Sequence, residues 1–212
     1  YVVPMGAAIW STDPTSMMQF PARFFVRFLH NHGMLTVDDR PTWRTIRGGS
    51  ARYVEKLTAP FRDRIHLATP VEQVRRLPGA VLVKPRGQEA VRFDAVFLAC
   101  HSDQALGLLA DPSAAEREVL GAIPYQANEA VLHTDVRLLP RRRLAWAGWN
   151  YHVRRDSGPV ALTYNMNILQ RLDAPTPFLV TLNPTDAIDP DRVIKRTPYH
   201  HPPYTPASVA AQ

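Results

Sequence analysis

The chain has 212 residues, of which 45% are hydrophobic and 21% are charged. This composition excludes a disordered or fibrous protein and allows a buried core without disulfide staples. No apolar run approaches the roughly 20 residues of a membrane-spanning helix, so the sequence predicts no transmembrane segment. The net charge of +6 permits an anionic partner. The basic residues are scattered rather than gathered in a stripe with aromatic residues, so we expect no specific nucleic-acid binding.

The first third of the chain predicts a loop followed by helices. Residues 1–19 indicate a loop-rich entry with a turn at Asp13-Pro14. An amphipathic helix ending near Gly33 is predicted by helical spacing of five apolar side chains, which form either core or the wall of an apolar pocket: Phe20, Phe24, Phe25, Phe28 and Leu29. After the turn Gly48-Gly49, Ser50 is expected to cap a helix running to about Ala59, with Tyr53, Val54 and Leu57 on its inner face.

Strand-like runs dominate the rest of the chain. The turns Pro78-Gly79 and Arg86-Gly87 separate runs at hairpin spacing. These runs cover residues 65–68, 71–75, 80–84, 89–93 and 95–100, and the last is apolar throughout, which predicts a strand covered on both faces. Two helices should follow, one capped by Ser102 and one opened by Asp111-Pro112. Further strands are predicted at 130–135, 144–152, 160–166 and 178–182, and residues 197–206, with four prolines, indicate an extended tail on a surface.

Motifs of self-contained active sites are absent from the sequence. None of the ten glycines fits G-x-G-x-x-G, and there is no P-loop, G-x-S-x-G or H-E-x-x-H motif. His30 and His32 lack further ligands at zinc-type spacing, so we expect no metal site. Cys100 and His101 are neighbours on a predicted strand and would point to opposite faces, which argues against a nucleophilic pair. A single cysteine also excludes an intramolecular disulfide and favours a reducing compartment, which predicts a cytoplasmic location.

The order of motifs from residue 44 to 135 provides a further indication. Gly48-Gly49-Ser50 and a helix precede Pro70-Val71-Glu72-Gln73-Val74, a hairpin, and the run Phe93-Asp94-Ala95-Val96-Phe97-Leu98-Ala99. This order resembles the flavin-containing amine oxidase superfamily, which includes monoamine oxidases, protoporphyrinogen oxidases and phytoene desaturases. The flanking residues 4–11, 145–151, 164–167 and 181–184 are similar to a bacterial subgroup of predicted NAD/FAD-binding proteins.

The resemblance implies an FAD-dependent oxidoreductase that transfers hydride from a C–N or C–C bond to the flavin. It implies that the backbone of Val71 pairs with the adenine of FAD, and Gly48, Gly49 and Ala99 are the other cofactor-binding candidates. The side chains predicted to face the substrate, for which core packing is the open alternative, are Trp10, Trp146, Trp149, Tyr151 and Tyr164. No general base is identified, because none of Lys56, Lys84 and Lys195 lies in a segment that matches the one in which some relatives carry a lysine beside the flavin.

The resemblance also implies a division of the chain. Residues 1–46 would belong to a substrate domain, 47–110 to part of a split FAD-binding domain, and 111–212 to the substrate-domain sheet and tail. The expected fold is α+β, with a mainly antiparallel sheet, flanking helices and a few strands of the flavin domain. Because the family's pyrophosphate glycines precede the matching region, we expect a central fragment with weak or no flavin binding. Its partners would be a small substrate, for which an apolar molecule is the candidate, and further copies of itself. A non-catalytic domain for an apolar or acyl ligand remains the alternative.

Overall fold

The computed structural model describes residues 2–39, 41–153 and 161–212. The helices in this part of the chain are α1 (Val2–Trp10), α2 (Pro14–Met17), α3 (Ala22–Asn31), α4 (Ala51–Thr58), α5 (Ser102–Leu108), α6 (Ala114–Gly121), α7 (Met166–Gln170) and α8 (Pro206–Ala210). The strands are β1 (Val71–Leu77), β2 (Ala80–Pro85), β3 (Val91–Phe93), β4 (Gln126–His133), β5 (Trp149–His152), β6 (Ala161–Asn165), β7 (Leu179–Leu182) and β8 (Val193–His201). Helices and antiparallel sheets together confirm the predicted α+β class. None of the helices described is both long enough and apolar enough to cross a bilayer.

Two compact units make up the chain. The first contains Tyr1–Glu55 and Tyr125–Tyr204, and the second contains Lys56–Pro124 and Thr205–Gln212. The sequence-based division, which follows the family's domains and stays a prediction, has its boundaries after residues 46 and 110. The first unit therefore includes the Gly48-Gly49 turn, and the second includes α6, which the sequence-based division assigned to the substrate domain.

The first unit is built on a five-stranded antiparallel sheet in the order β5-β6-β7-β4-β8. Leu182 lies opposite both Ala130 and Leu162, and Thr181 lies opposite Thr163. Because successive side chains of a strand point to opposite faces, the sheet has an apolar face that includes Leu162 and Leu182. The threonines belong to the other face, which we call the polar face.

Helices α1 to α3 pack on the apolar face. Ala7, Ala8, Met17 and Phe25 form one buried cluster with Leu162 and other sheet residues. The helix α3 confirms the prediction made from the phenylalanine spacing. The predicted loop over residues 1–19 is wrong, because α1 and α2 lie in this range. The sequence did not indicate α1 because this helix is apolar on all sides and shows no 3.6-residue period of apolar and polar residues. Its proline occupies the first turn, where a missing N–H is tolerated.

Strand β8 corrects the predicted extended tail. It pairs with β4 over almost its whole length, from Val193 opposite His133 to His201 opposite Gln126. As the edge strand of the sheet, β8 can contain Pro198 without losing a hydrogen bond to a second neighbour. The prolines of this segment are thus compatible with a strand, because only one of its edges is paired.

The second unit contains a three-stranded antiparallel sheet in the order β1-β2-β3. The predicted turns are confirmed, with Gly79 at φ +67° and Gly87 at φ +71°. Val74 is buried at the centre of β1, and its carbonyl accepts a hydrogen bond of 2.9 Å from the backbone N–H of Ala110. The chain that follows α5 therefore packs against β1.

The predicted strands 65–68 and 95–100 are wrong. Residues 67 and 68 form a turn, and Ala68 has φ +52°. Residues 95–100 are exposed and lie outside every strand described, with Phe97 95% exposed. A strand requires a neighbour for its backbone groups, and none of the described strands pairs with this run. We call residues 95–100 the apolar segment.

Helix starts and faces also differ from the sequence prediction. Helix α5 begins at Ser102 itself, after the N-cap residue His101. Helix α6 is capped by Ser113 rather than Asp111, because Ser113 and Glu116 form a reciprocal capping box. Helix α4 has the predicted extent, but its expected inner face, Tyr53, Val54 and Leu57, is exposed.

Candidate functional site

An apolar pocket of about 280 Å³ lies between α1 and the sheet of the first unit. Trp149 and Tyr151 point to the same side of β5 because they are two residues apart, and Tyr151 lies opposite Leu162 on β6. The lining consists of Pro4, Met5, Ala8, Trp149, Tyr151 and Leu162 and contains no charged side chain. We call this cleft the apolar pocket; its lining suits the apolar part of a small molecule.

Three of the predicted substrate-facing residues are close together. Trp149 lies opposite Tyr164 in the β5–β6 register, with ring centroids 5.7 Å apart at an angle of 82°. Tyr164 and Tyr151 both pack against the core cluster of the apolar face. Burial raises the pKa of the Tyr164 phenol, so this group stays neutral at physiological pH. Trp149, Tyr151 and Tyr164 thus form one aromatic group beside α1.

The other two predicted residues lie elsewhere. Trp10 packs against Phe20 and Phe28, with ring centroids 4.5 and 4.7 Å away, in the aromatic core beside α3. Trp146 lies on the loop before β5, where its Nε1–H donates a hydrogen bond of 2.8 Å to the carbonyl of Pro140. The guanidinium of Arg143 sits 5.2 Å from the centre of its ring. Neither tryptophan lines the apolar pocket.

The cofactor-binding candidates are divided between the two units. Gly48 and Gly49 form an exposed turn of the first unit at φ +82° and +84°, a conformation that favours glycine. Val71 begins β1 in the second unit, opposite Pro85, and a register shift follows it. Ala99 lies in the apolar segment of the same unit. Their roles toward a flavin remain predictions.

Two of these candidates have local backbone features that are compatible with contact to a cofactor. Strand β1 is at the edge of its sheet. Residues 109–110 pair with its outer side at Val74, and Val71 lies outside this pairing. A Cβ added at Gly49 would meet nothing within 4 Å, so the turn is open to a ligand. The glycines that would hold a pyrophosphate are not found in the 212 residues, which contain no G-x-G-x-x-G.

A hydrogen-bonded chain of side chains crosses the polar face and was not predicted. His133 Nε2 lies 2.7 Å from Thr181 Oγ1, which lies 2.8 Å from Thr163 Oγ1, and this atom lies 2.8 Å from His152 Nε2. Burial lowers the pKa of both histidines, so both are neutral near pH 7. The only sequence signal for these hydrogen-bonded side chains was the alternation of polar residues within otherwise apolar strands.

Asp135 lies at the end of this polar chain. The hydrogen bonds of the Arg137 guanidinium, with Nη2 2.6 Å from Oδ2, hold the pKa of the buried Asp135 carboxyl well below its usual range. Asp135 Oδ2 also accepts a hydrogen bond of 2.9 Å from the backbone N–H of Asp189. The carboxylate therefore joins the loops that follow β4 and β7.

No group of three or more His, Cys, Asp or Glu side chains suited to a metal ion occurs among residues 2–39, 41–153 and 161–212. His32, one of the two histidines considered above, stacks on Phe28 with ring centroids 4.0 Å apart. Its Nδ1 lies 2.8 Å from the Phe28 carbonyl oxygen. Its contacts are those of a side chain packed on its own helix.

Comparisons with known proteins agree with the sequence resemblance. Cyclohexylamine oxidase from Brevibacterium oxydans IH-35A shares the fold at 12% identity and a TM-score of 0.59, over 99% of this chain and 54% of that one. A fatty acid isomerase from P. acnes gives 16% identity and a TM-score of 0.48, over 72% of this chain and 40% of that one. Putrescine oxidase bound to putrescine gives 13% identity and a TM-score of 0.47, over 68% of this chain and 32% of that one.

The chain thus spans about half of cyclohexylamine oxidase and a smaller share of the other two proteins. No curated protein sequence matches it significantly. The family model described as flavin containing amine oxidoreductase matches residues 3–154. Because this match covers most of the 212 residues, the chain belongs to the family of flavin-containing amine oxidoreductases.

Proposed function

We propose that the chain contributes the substrate-binding sheet and part of the cofactor site of an FAD-dependent oxidoreductase that oxidises a C–N or C–C bond of an apolar substrate. The family match over residues 3–154 carries this proposal. The apolar pocket supports the substrate class, because its lining offers aliphatic and aromatic surface without a charged side chain. The flavin, when bound, accepts the hydride.

The residues of this chain would bind and orient the substrate and the cofactor, and they would exclude water from the reacting bond. Trp149 and Tyr151 would hold the apolar part of the substrate above the buried Leu162 and keep solvent away from the reacting bond. The open edge of β1 at Val71 would pair its backbone with the adenine, and the Gly48-Gly49 turn would allow close approach of the cofactor. We assign no general base.

An absorbance spectrum of the purified full-length protein tests the function first. We expect flavin bands near ~450 nm that are released as free FAD on denaturation. The 212 residues by themselves should bind FAD weakly or not at all, because they lack the pyrophosphate glycines. A colourless full-length protein that takes up no added FAD would exclude the oxidoreductase, and binding of an acyl ligand in the apolar pocket would then favour the non-catalytic alternative.

Anaerobic bleaching of these bands by amines and unsaturated lipids tests the substrate pocket. Replacing Trp149 or Tyr151 with alanine should raise KM about tenfold or more, because each ring supplies much of the pocket surface. Trp43→Ala is the matched control, since Trp43 is exposed and outside this pocket. Equal effects of all three substitutions would contradict the assignment of the pocket.

Two further expectations belong to this proposal. The cytoplasmic location inferred from the single cysteine predicts that fractionated cells hold the protein in the cytosolic fraction.

The backbone role of Val71 predicts that Val71→Ala retains FAD affinity while Val71→Pro, which removes the N–H, reduces it. Loss of affinity in the alanine variant alone would show that the side chain, not the backbone, is the contact.

A further inference from the structure

The polar chain on the sheet of the first unit has a fixed direction. The backbone N–H of Asp135 donates a hydrogen bond of 3.0 Å to His133 Nδ1. A backbone amide can only donate, so this nitrogen carries no proton and the neutral ring of His133 is protonated at Nε2. His133 Nε2–H therefore donates to Thr181 Oγ1.

The hydrogen bonds of Thr181 and Thr163 continue the same donor-to-acceptor order. The Thr181 hydroxyl has one hydrogen, and among the described residues Thr163 Oγ1 is the acceptor beside it, so Thr181 donates to Thr163. The hydroxyl of Thr163 in turn donates to His152 Nε2. His133, Thr163 and Thr181 have no exposed surface, so water does not compete for these bonds.

His152 is consequently held in one tautomer. Its Nε2 is an acceptor, so the neutral ring carries its proton on Nδ1. No partner of Nδ1 is found among residues 2–39, 41–153 and 161–212. The position of this N–H donor is set by residues on three neighbouring strands.

His152 lines a second pocket of about 400 Å³, at the edge of the sheet formed by β5. The loop before β5 forms its rim, and Trp146 ties this loop to the Pro140 carbonyl. Asn150 is held in place by hydrogen bonds from its Nδ2 to the carbonyl oxygens of Ala147 and Thr163, at 2.7 and 3.1 Å. The wall around His152 is thus fixed before any ligand arrives. We call this cleft the histidine pocket.

Arg137 also lines the histidine pocket. Its Nε and Nη2 are bonded to Asp135, and Nη1 has no hydrogen-bond partner in the part of the chain that the structure describes. Asp135 and Asp189, whose Oδ2 lies 3.9 Å from Arg137 Nη2, together offset the arginine charge. The pocket therefore suits an acceptor with a single negative charge better than a phosphate dianion, which Asp135 would repel.

We propose that the histidine pocket binds a compact organic carboxylate, whose oxygens accept hydrogen bonds from His152 Nδ1 and Arg137 Nη1. The histidine pocket shares Trp149 and Tyr151 with the apolar pocket, but His152 and Arg137 do not line the apolar pocket, and carboxylate binding to them needs no flavin. It therefore goes beyond the proposed oxidoreductase function and is tested independently of it.

Side-chain ¹H–¹⁵N NMR of the protein, titrated with benzoate, tests the proposal. Free His152 should show the Nδ1–H tautomer, and benzoate should shift its Nδ1 resonance in a saturable way. Benzamide, which has the same shape without the charge, is the matched probe and should bind at least about tenfold more weakly. Equal binding of both compounds would overturn the carboxylate assignment, and an unchanged His152 resonance would overturn the site.

Substitutions at Thr163 test the polar chain itself. Thr163→Ser keeps the hydroxyl and should retain both the tautomer and benzoate affinity, although it removes a buried methyl group. Thr163→Val keeps the shape but removes the donor, so His152 should populate both tautomers and affinity should fall several-fold. Thr36→Val, in an exposed position of the same unit, is the control. A Val variant that keeps a single Nδ1–H tautomer would contradict the positioning role of Thr163.

Discussion

Asp135 combines nearly complete burial with a charge, since it is 1% exposed. It accepts hydrogen bonds from the Arg137 side chain and from the backbone N–H groups of Arg137 and Asp189. Arg137 itself remains largely in solvent, so removal of the carboxylate would not leave a buried unpaired cation. The carboxylate stabilises the fold mainly through these hydrogen bonds.

We expect Asp135→Asn to lower the free energy of unfolding by about 2–3 kcal/mol, because charge-assisted bonds to two loops are lost or weakened. Urea unfolding at pH 7 measures the change. Asp186→Asn is the control, because Asp186 is exposed, and it should change stability by no more than about 0.5 kcal/mol. Similar values for the two variants would contradict this role of Asp135.

The two histidines of the polar chain, the buried His133 and the half-buried His152, predict a dependence of stability on pH. The folded-state pKa values of His133 and His152 lie below their ordinary value, so below about pH 6.5 the unfolded chain takes up protons that the folded chain does not. Stability should therefore fall as the pH is lowered from 7 to 5. Asp135, whose pKa is also lowered, contributes only at more acidic pH, below about 4.

Urea unfolding at pH 7, 6 and 5 measures this dependence. The double substitution His133→Gln, His152→Gln removes both titrating groups and should flatten the profile across this range. The comparison uses the slope against pH, so a uniform loss of stability in the variant does not obscure it. An unchanged slope would show that other groups control the acid response.

At the scale of elements, the contact of α1 to α3 with the apolar face of the sheet dominates the first unit. Leu162 on β6 has no exposed surface and lies opposite Leu182. Small residues of α1 pack in the same cluster, so the helix backbone approaches the strands closely. The cluster members on α1, Ala7 and Ala8, are too short to fill a cavity made here.

We expect Leu162→Ala to destabilise the protein by about 2–5 kcal/mol, from lost transfer energy and the remaining cavity. Leu144→Ala is the same substitution at a fully exposed side chain and should change stability by less than about 0.5 kcal/mol. Thermal or urea unfolding of the pair measures the difference. Two similar values would place Leu162 outside the core.

At the scale of the whole molecule, the exposed apolar segment is the most unusual surface. Val96, Phe97 and Leu98 are exposed side by side at 37%, 95% and 37%. Contiguous apolar surface of this kind is normally covered by another chain or segment. We therefore propose that the 212-residue chain associates with itself through this segment.

Sedimentation velocity over a range of concentrations tests this association. Phe97→Glu should shift the protein toward the monomer, because it replaces the most exposed apolar side chain of the segment with a charge. Gln88→Glu adds the same charge at an exposed position of the same unit and should leave the distribution unchanged. A wild-type chain that is monomeric at every concentration would contradict the proposal.

Several features of the molecule were determined by the sequence itself. The helix α3 followed from a 3.6-residue period, and the hairpins β1–β2 and β2–β3 followed from Gly79 and Gly87 between strand-like runs. The order of motifs around Val71 was sufficient to indicate the family that the comparisons confirm. These signals are local, because a helix period or a positive-φ turn is encoded within a few neighbouring residues.

Other features were decided only by the tertiary structure. Helix α1 has no amphipathic period because it is buried against the sheet, and β8 could be recognised only by its pairing with β4. His133, Thr181, Thr163 and His152 become neighbours through the strand order β4-β7-β6-β5, and residue spacing along the chain does not encode that order. Whether an apolar run becomes a covered strand depends likewise on a partner strand, so the exposure of residues 95–100 could not be deduced from their composition.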